Sequence, residues 1–459
     1  MRYLPWVLGV VVLTASGCLL RELREPEGEE GEARKVWSGR SYVDQTVVDR
    51  EPVPSRTAAG FDSERVWGGY DDWEPAGGAD PAGNNVYQLT TRYGDNPNCG
   101  DCPDPALVFR ISVDGGATWN PDEFIFDSKR PQNDPMVEVG SDGAVYVAWL
   151  NTYKPGVTFL KSTDRGRSWS RPVSFTGPGK SPKWNDRPVL AISRDGKDVY
   201  VAFNASDSYV VASHDGGKTW GNAVKTNNDE RYWFHNQGVV GPDGSVYFAA
   251  VDFSQDYTGD QYVSVLRSAD GGKTFTTTRV ETSAQMPDCS YSEGCYLGYF
   301  GSATGVAVDK VGKVMVAYTA NDNNGNPMKL YVKTSTDGLA WSSRQEIGIS
   351  TPGVNHLFPA LAAGPVAGDF RVMWQDDRNG QNAWNTWYRR TTTGGATWQA
   401  EVRVSDLGTG APYKGATGYH FPYGDYQEIS VDNSGVTHLI WGEGESYTGP
   451  GGTWYTRGQ

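Results

Sequence analysis

No long stretch of this chain has helical periodicity, and no apolar run is as long as a bilayer span. The first absence argues against a helical fold and leaves strand-like runs, with 57 glycines and 17 tryptophans among the 459 residues. Basic residues are also in deficit. With 41 Lys and Arg against 55 Asp and Glu the net charge is −14, which argues against nucleic acid or an anionic membrane surface as the general partner, because a phosphate-binding face needs a basic excess. A small basic pocket is still compatible with that charge. The apolar run from Leu4 to Leu13 follows Arg2 and precedes small residues. Too short to cross a membrane, it reads as a secretory signal. Cysteine is scarce, at five residues. Cys99 and Cys102 share one loop, Cys289 and Cys295 another, and local pairs in an exported protein favour two loop-stapling disulfides. Zinc is the rival for Cys99-Gly-Asp-Cys102, although no His or second Cys pair follows at a finger-like spacing.

What the chain does have is a repeat. Ser, Asp, Gly and an aromatic recur as Ser112-Val-Asp114-Gly-Gly116-Ala-Thr-Trp119, Ser162 to Trp169, Ser213 to Trp220, Ser268 to Phe275, a shorter Ser335 to Trp341, and Thr391 to Trp398. A period of roughly 50 residues means a stack of similar supersecondary units. The Asp can bond backbone N–H groups two residues on, Gly supplies positive φ, and the ring packs into the sheet beyond the turn. Each copy is a folding device.

The series resembles the Asp-box (BNR) repeats of sialidases and related β-propellers. That resemblance implies an all-β propeller with the boxes between the third and fourth strands of each blade, on the face away from the active site. No box Asp is then catalytic, and Phe275 in place of Trp or Thr393 in place of Asp is tolerable in a turn. A second repeat gives the blade count. Its copies begin near Trp73-Glu-Pro75, Asn133-Asp-Pro135, Asn185-Asp-Arg-Pro188, His235-Asn-Gln237, Tyr299-Phe-Gly301, Asn355-His356 and Gly424-Asp-Tyr426. Seven inner strands imply seven four-stranded blades; six, with the first or last copy as an appendage, is the alternative. The last copy lacks a fourth strand. Ser41 to Val48 has strand composition and no blade of its own, so pairing the two would close the ring with an N-terminal strand.

Ala15-Ser-Gly-Cys18 resembles a bacterial lipobox, with Ala15 where Leu is usual. The domain reading is therefore a signal peptide over 1–17, a lipidated Cys18 and acidic tether over 18–39, and the propeller over 40–459. It implies a lipid anchor in the bacterial cell envelope, on the outer surface or facing the periplasm. An ordinary cleaved signal and a secreted protein are the alternative.

Chemistry is expected opposite the boxes, where the polar loops converge on the central channel. A sialidase-like site uses Tyr activated by Glu, an Asp acid/base and three Arg that hold the substrate carboxylate. The candidate catalytic groups are Asp134, Asp186, Tyr299, Asp425 and Tyr426, with Glu74 beside them. The candidate substrate-binding groups are Arg92, Arg187, His235, His356 and Arg378. Each has a structural alternative: the Asp residues can tie blades together, the His residues can be packed, and Arg378 can pair with Asp376 in its own loop. Phe109-Arg110-Ile111 departs from the sialidase Arg motif by running straight into a box, so no catalytic role passes to Arg110. No cofactor and no metal are expected. The leading reading is a monomeric, glycan-recognising, sialidase-like propeller, an exo-glycosidase if it turns over substrate. A non-catalytic binding or scaffold lipoprotein is the alternative, and a polysaccharide lyase using His235, Tyr299 and Arg187 is a third reading.

Overall fold

The computed structural model describes residues 42–44, 57–94, 99–151, 156–177, 186–205, 207–255, 258–287, 301–380, 383–406, 426–444 and 451–458. Runs such as Val145–Asn151 and Val199–Asn204 are buried along their whole length, as strands packed on both faces should be. They form the second strands of antiparallel sheets, and the chain folds into seven such sheets in a ring. It is a seven-bladed β-propeller.

The inner strands are Asp71–Ala79, Gln132–Val139, Asp186–Ile192, Tyr232–Val240, Thr304–Val308, His356–Ala363 and Gln427–Val431. We number the blades one to seven in that order. Because the four strands of a blade alternate in direction, the starts of the inner strands share one face and the Ser-x-Asp turns share the other.

The ring closes with an N-terminal strand, but not the one read from composition. Arg65–Trp67 pairs with Gly451–Gly458, Val66 lying opposite Trp454. Tyr42–Asp44, inside the stretch expected to do this, instead extends blade one beyond Asp122–Ile125. The short segment wins because Trp67 has a place to go: its ring meets Trp119 edge-on at 5.1 Å, and Trp119 in turn meets Tyr455 at 4.9 Å. A three-residue strand anchored by one large ring has little compositional signal.

The turns carry the bonds their residues suggest. Ser112 Oγ donates to Asp114 Oδ1 at 2.8 Å, Thr118 N and Oγ1 donate to Asp114 at 2.8 and 2.6 Å, and Gly116 N donates to Ser112 Oγ at 2.7 Å. These hydrogen bonds hold the Asp114 carboxyl down to about 2. The ring at the end of each turn leans on the third strand of the preceding blade: Trp169 on Phe109 at 5.5 Å, Trp220 on Phe159 at 4.9 Å, Trp119 on Tyr455. Each such edge-on pair contributes about 0.5–1.5 kcal/mol beyond its buried area. The turn is thus a joint between blades.

Cys99 and Cys102 form a disulfide with Cα atoms 5.3 Å apart, which replaces the zinc alternative for that pair. Cys18, Cys289 and Cys295 lie outside the described residues.

Candidate functional site

Four inner strands open on a residue followed by Pro: Glu74-Pro75, Asp134-Pro135, Arg187-Pro188 and Phe358-Pro359. Proline has no N–H for the ladder, so the strand bulges there. The register indeed slips between Trp73 and Ala76, Asn133 and Met136, Asp186 and Val189, and Leu357 and Ala360. Glu74, Asp134 and Phe358 take φ of 56°, 51° and 50°, a left-handed conformation costing about 1–3 kcal/mol for a non-glycine residue. Such bulges re-aim side chains.

What they gather is a polar cluster drawn from five blades. Glu74 Oε2 accepts from Thr91 Oγ1 at 2.6 Å and from the backbone N–H of Asp134 at 2.8 Å. Tyr426, just before the last inner strand, donates its hydroxyl to Asp134 Oδ1 at 3.0 Å. The Arg187 guanidinium lies over the Tyr426 ring, 3.7 Å from its centroid. Beside it, Asp186 Oδ2 accepts from the Tyr232 hydroxyl at 2.5 Å, and Asp186 Oδ1 caps the N–H of Arg187 at 2.8 Å. All of these side chains are buried. Burial pushes the Glu74 carboxyl up against the opposing pull of its hydrogen bonds, and the nearby Asp186 charge adds to the rise.

Below them two more carboxyls face the channel. Burial, then mutual repulsion with Glu428, pushes Glu138 up to about 8; burial, tempered by Arg187, pushes Glu428 up to about 7. Gln237 reaches across blades, donating to Leu361 O at 2.7 Å while accepting from Val306 N at 3.2 Å. Gln427 donates to Phe358 O. Between Arg187, Gln237, Phe358, Tyr426 and Glu428 lies a narrow cavity of about 20 Å³. A raised folded pKa favours the protonated native state, so its stabilisation is full below the ordinary carboxylate range and is lost as pH rises through the folded value. Stability should therefore fall from about pH 5 to pH 8, and Glu138→Gln should flatten that fall. Urea unfolding of both proteins across the range checks it; an unchanged slope in the variant would exclude Glu138 as its source.

Among the residues expected at the site, Asp134, Asp186, Arg187 and Tyr426 come together. Tyr299 and Asp425 lie outside the described residues. The other four go elsewhere. Arg92 is locked inside blade one, its Nε 2.6 Å from Asp72 Oδ1 and an Nη 2.6 Å from Asp122 Oδ2. Arg378 pairs with Asp376 at 2.6 Å and with Glu401, and its guanidinium covers Trp387 at 3.4 Å. His235 Nε2 meets Ser208 Oγ at 2.8 Å, with burial driving its pKa down to about 3. His356 Nδ1 meets the Met328 carbonyl at 3.0 Å, and burial lowers its pKa too. These side chains fasten strands and blades. Glu138 and Glu428 were missed, although a charge interrupting an apolar inner strand, as in Val137-Glu138-Val139, was the available signal.

No known family's sequence profile matches the chain. Its sequence is similar to a xyloglucanase of Acetivibrio thermocellus, 23% identical over 305 residues, covering 61% of this chain and 33% of that protein. The chain spans a third or less of the length of the curated relatives it matches first. Among solved structures it is similar to a PL25 ulvan lyase (12% identity, 85% of this chain, 95% of that chain, TM-score 0.49). It is also similar to the Hadza microbial sialidase Hz136 (12% identity, 79% and 75% covered, TM-score 0.45).

Proposed function

We propose that the protein is a glycan-acting propeller, a sialidase-like exo-glycosidase built on its Asp-box repeats, with its site at the start of the inner strands. The observation that carries the reading is the Tyr426–Asp134 hydrogen bond with Arg187 over the phenol ring. In this reading Asp134 takes the phenol proton as Tyr426 Oη attacks an anomeric carbon, and the guanidinium favours the developing phenolate. As the glycosidic bond breaks, its oxygen takes a proton from the second carboxyl, for which Asp186 is the candidate. Water then attacks the glycosyl-tyrosine, giving one proton to Asp186, while the departing phenolate recovers its own from Asp134. The sequence similarity to a xyloglucanase over 61% of the chain supports a carbohydrate ligand. Arg187 suits a carboxylate-bearing sugar. Lipidation at Cys18 would place this activity, in a monomer, at the bacterial cell envelope.

A second reading has its own observation. The bonds Asp134 N to Glu74 and Tyr426 to Asp134 run between blades, as they would in a binding scaffold with no turnover. Binding and hydrolysis of sialosides, uronate oligomers and xyloglucan oligosaccharides by the purified protein distinguishes the two. Turnover of one class is expected, with affinity for an anionic ligand reduced about tenfold or more in Arg187→Ala. Absence of binding to every glycan would overturn the glycan reading and leave the protein scaffold.

A further inference from the structure

On the opposite face, the joint between blades three and four holds a larger groove than the one of about 280 Å³ between blades five and six. The residue just before the Ser or Thr of each turn is Ile111, Lys161, Arg267, Thr334 and Arg390 in blades one, two, four, five and six, and Lys161, Arg267 and Thr334 lie beside a turn glycine of the next blade. In blade three it is Ala212, and the turn that follows it ends in Phe275 where most copies have Trp. The short Ala212 side chain lines a groove of about 410 Å³ at this joint, within the range of small-ligand sites.

The walls of this groove have unspent chemistry. Trp220 lines it and is only partly buried, its ring held from behind by Phe159 and Phe175 at 4.9 and 4.7 Å. The lining also includes the exposed Lys273, which has no carboxylate partner among the described residues. His214, an exposed residue of the lining, is fixed by Asp198 at 2.7 Å through Nδ1, which leaves Nε2 as a further polar group. Asn222 supplies an amide. The one carboxylate in the lining, Asp215, is occupied by Ser213 and by Thr219 N and Oγ1 at 2.9, 2.8 and 2.6 Å. An aromatic wall for a sugar face and an ammonium in the lining favour a sugar that carries a negative charge.

We propose that the groove between blades three and four is a second binding site, for a carboxylate-bearing saccharide, separate from the channel mouth. It would hold a polymer against the face remote from that site, whether or not the channel turns it over. The test is calorimetric titration with trigalacturonate, with cellotriose as the neutral control, accompanied by tryptophan fluorescence. The parent should bind the uronate and not the neutral trimer. Lys273→Ala, an exposed change that leaves the fold intact, should weaken binding about tenfold or more. Ala212→Arg, which fills the groove with the residue of blades four and six, should abolish it at an unchanged melting temperature. Arg187→Ala, which weakens an anionic sugar at the channel, should leave it unaltered, and this separates the groove from the channel. The proposal is overturned if trigalacturonate does not bind, if cellotriose binds equally, or if Lys273→Ala binds like the parent. Should Ala212→Arg melt early, Lys273→Ala alone decides.

Discussion

Arg110→Ala should destabilise the protein by about 3–5 kcal/mol, the range for breaking a buried ion pair by removing one partner. Arg92 and Arg110 each bridge Asp72 and Asp122, with the shortest contact of each pair at 2.6 Å and every side chain essentially inaccessible to water. Two cations balance two anions. Without Arg110 one cation faces two carboxylates, and the site is left with a net buried negative charge. An Nη of Arg110 also lies 3.3 Å from Thr453 Oγ1 in blade seven, so the loss falls where the ring closes. Burial alone would raise the Asp72 carboxyl, yet Arg92 and Arg110 together hold it below the ordinary range. A depressed folded pKa gives stability that is present above the unfolded value and lost as pH falls through the folded one. Arg110→Ala should therefore lose part of the parent's acid sensitivity as well. Urea denaturation at neutral and acid pH measures both; a variant within 1 kcal/mol of the parent would show that the four charges contribute no net stability.

The same residues show why some of the site was legible and some was not. Blade number follows from repetition, because a local signature that recurs at the inner strands needs no knowledge of partners. The starts of the inner strands are legible for a similar reason, since Glu74-Pro, Asp134-Pro and Arg187-Pro are local patterns, and their carboxyls and guanidinium are named from sequence with Tyr426, whereas the bulges themselves are seen only in the fold. Arg92 and Arg378 look the same in sequence as Arg187. Their fate is set by Asp122, thirty residues away in sequence from Arg92, and by Glu401, twenty-three residues from Arg378, and no local pattern announces such a pairing. The closing strand failed differently. Composition favoured Ser41 to Val48, whereas the decisive quantity is the fit of Trp67 against Trp119 and Tyr455, which exists only once the ring is assembled.

Asp134→Asn should lower turnover of whichever glycan the parent hydrolyses by about 10²–10⁴-fold, the usual contribution of a positioned general base. The substitution is nearly isosteric, and the amide oxygen can still accept the Tyr426 hydroxyl, so the bond between blades two and seven persists. What the variant cannot do is take the phenol proton during attack. Substrate affinity should change little, because Arg187 and its place over the Tyr426 ring remain. Tyr426→Phe provides the complementary loss, removing the nucleophile while keeping the ring on which Arg187 lies. If Asp134 instead serves only to tie blades together, the pattern reverses: the damage appears in thermal unfolding, and turnover per folded molecule stays at the parent level. Measuring kcat, KM and melting temperature on both variants separates the two roles. Retention of full kcat in a folded Asp134→Asn would remove the Tyr426–Asp134 pair from the chemistry while leaving the seven-bladed scaffold that presents it untouched.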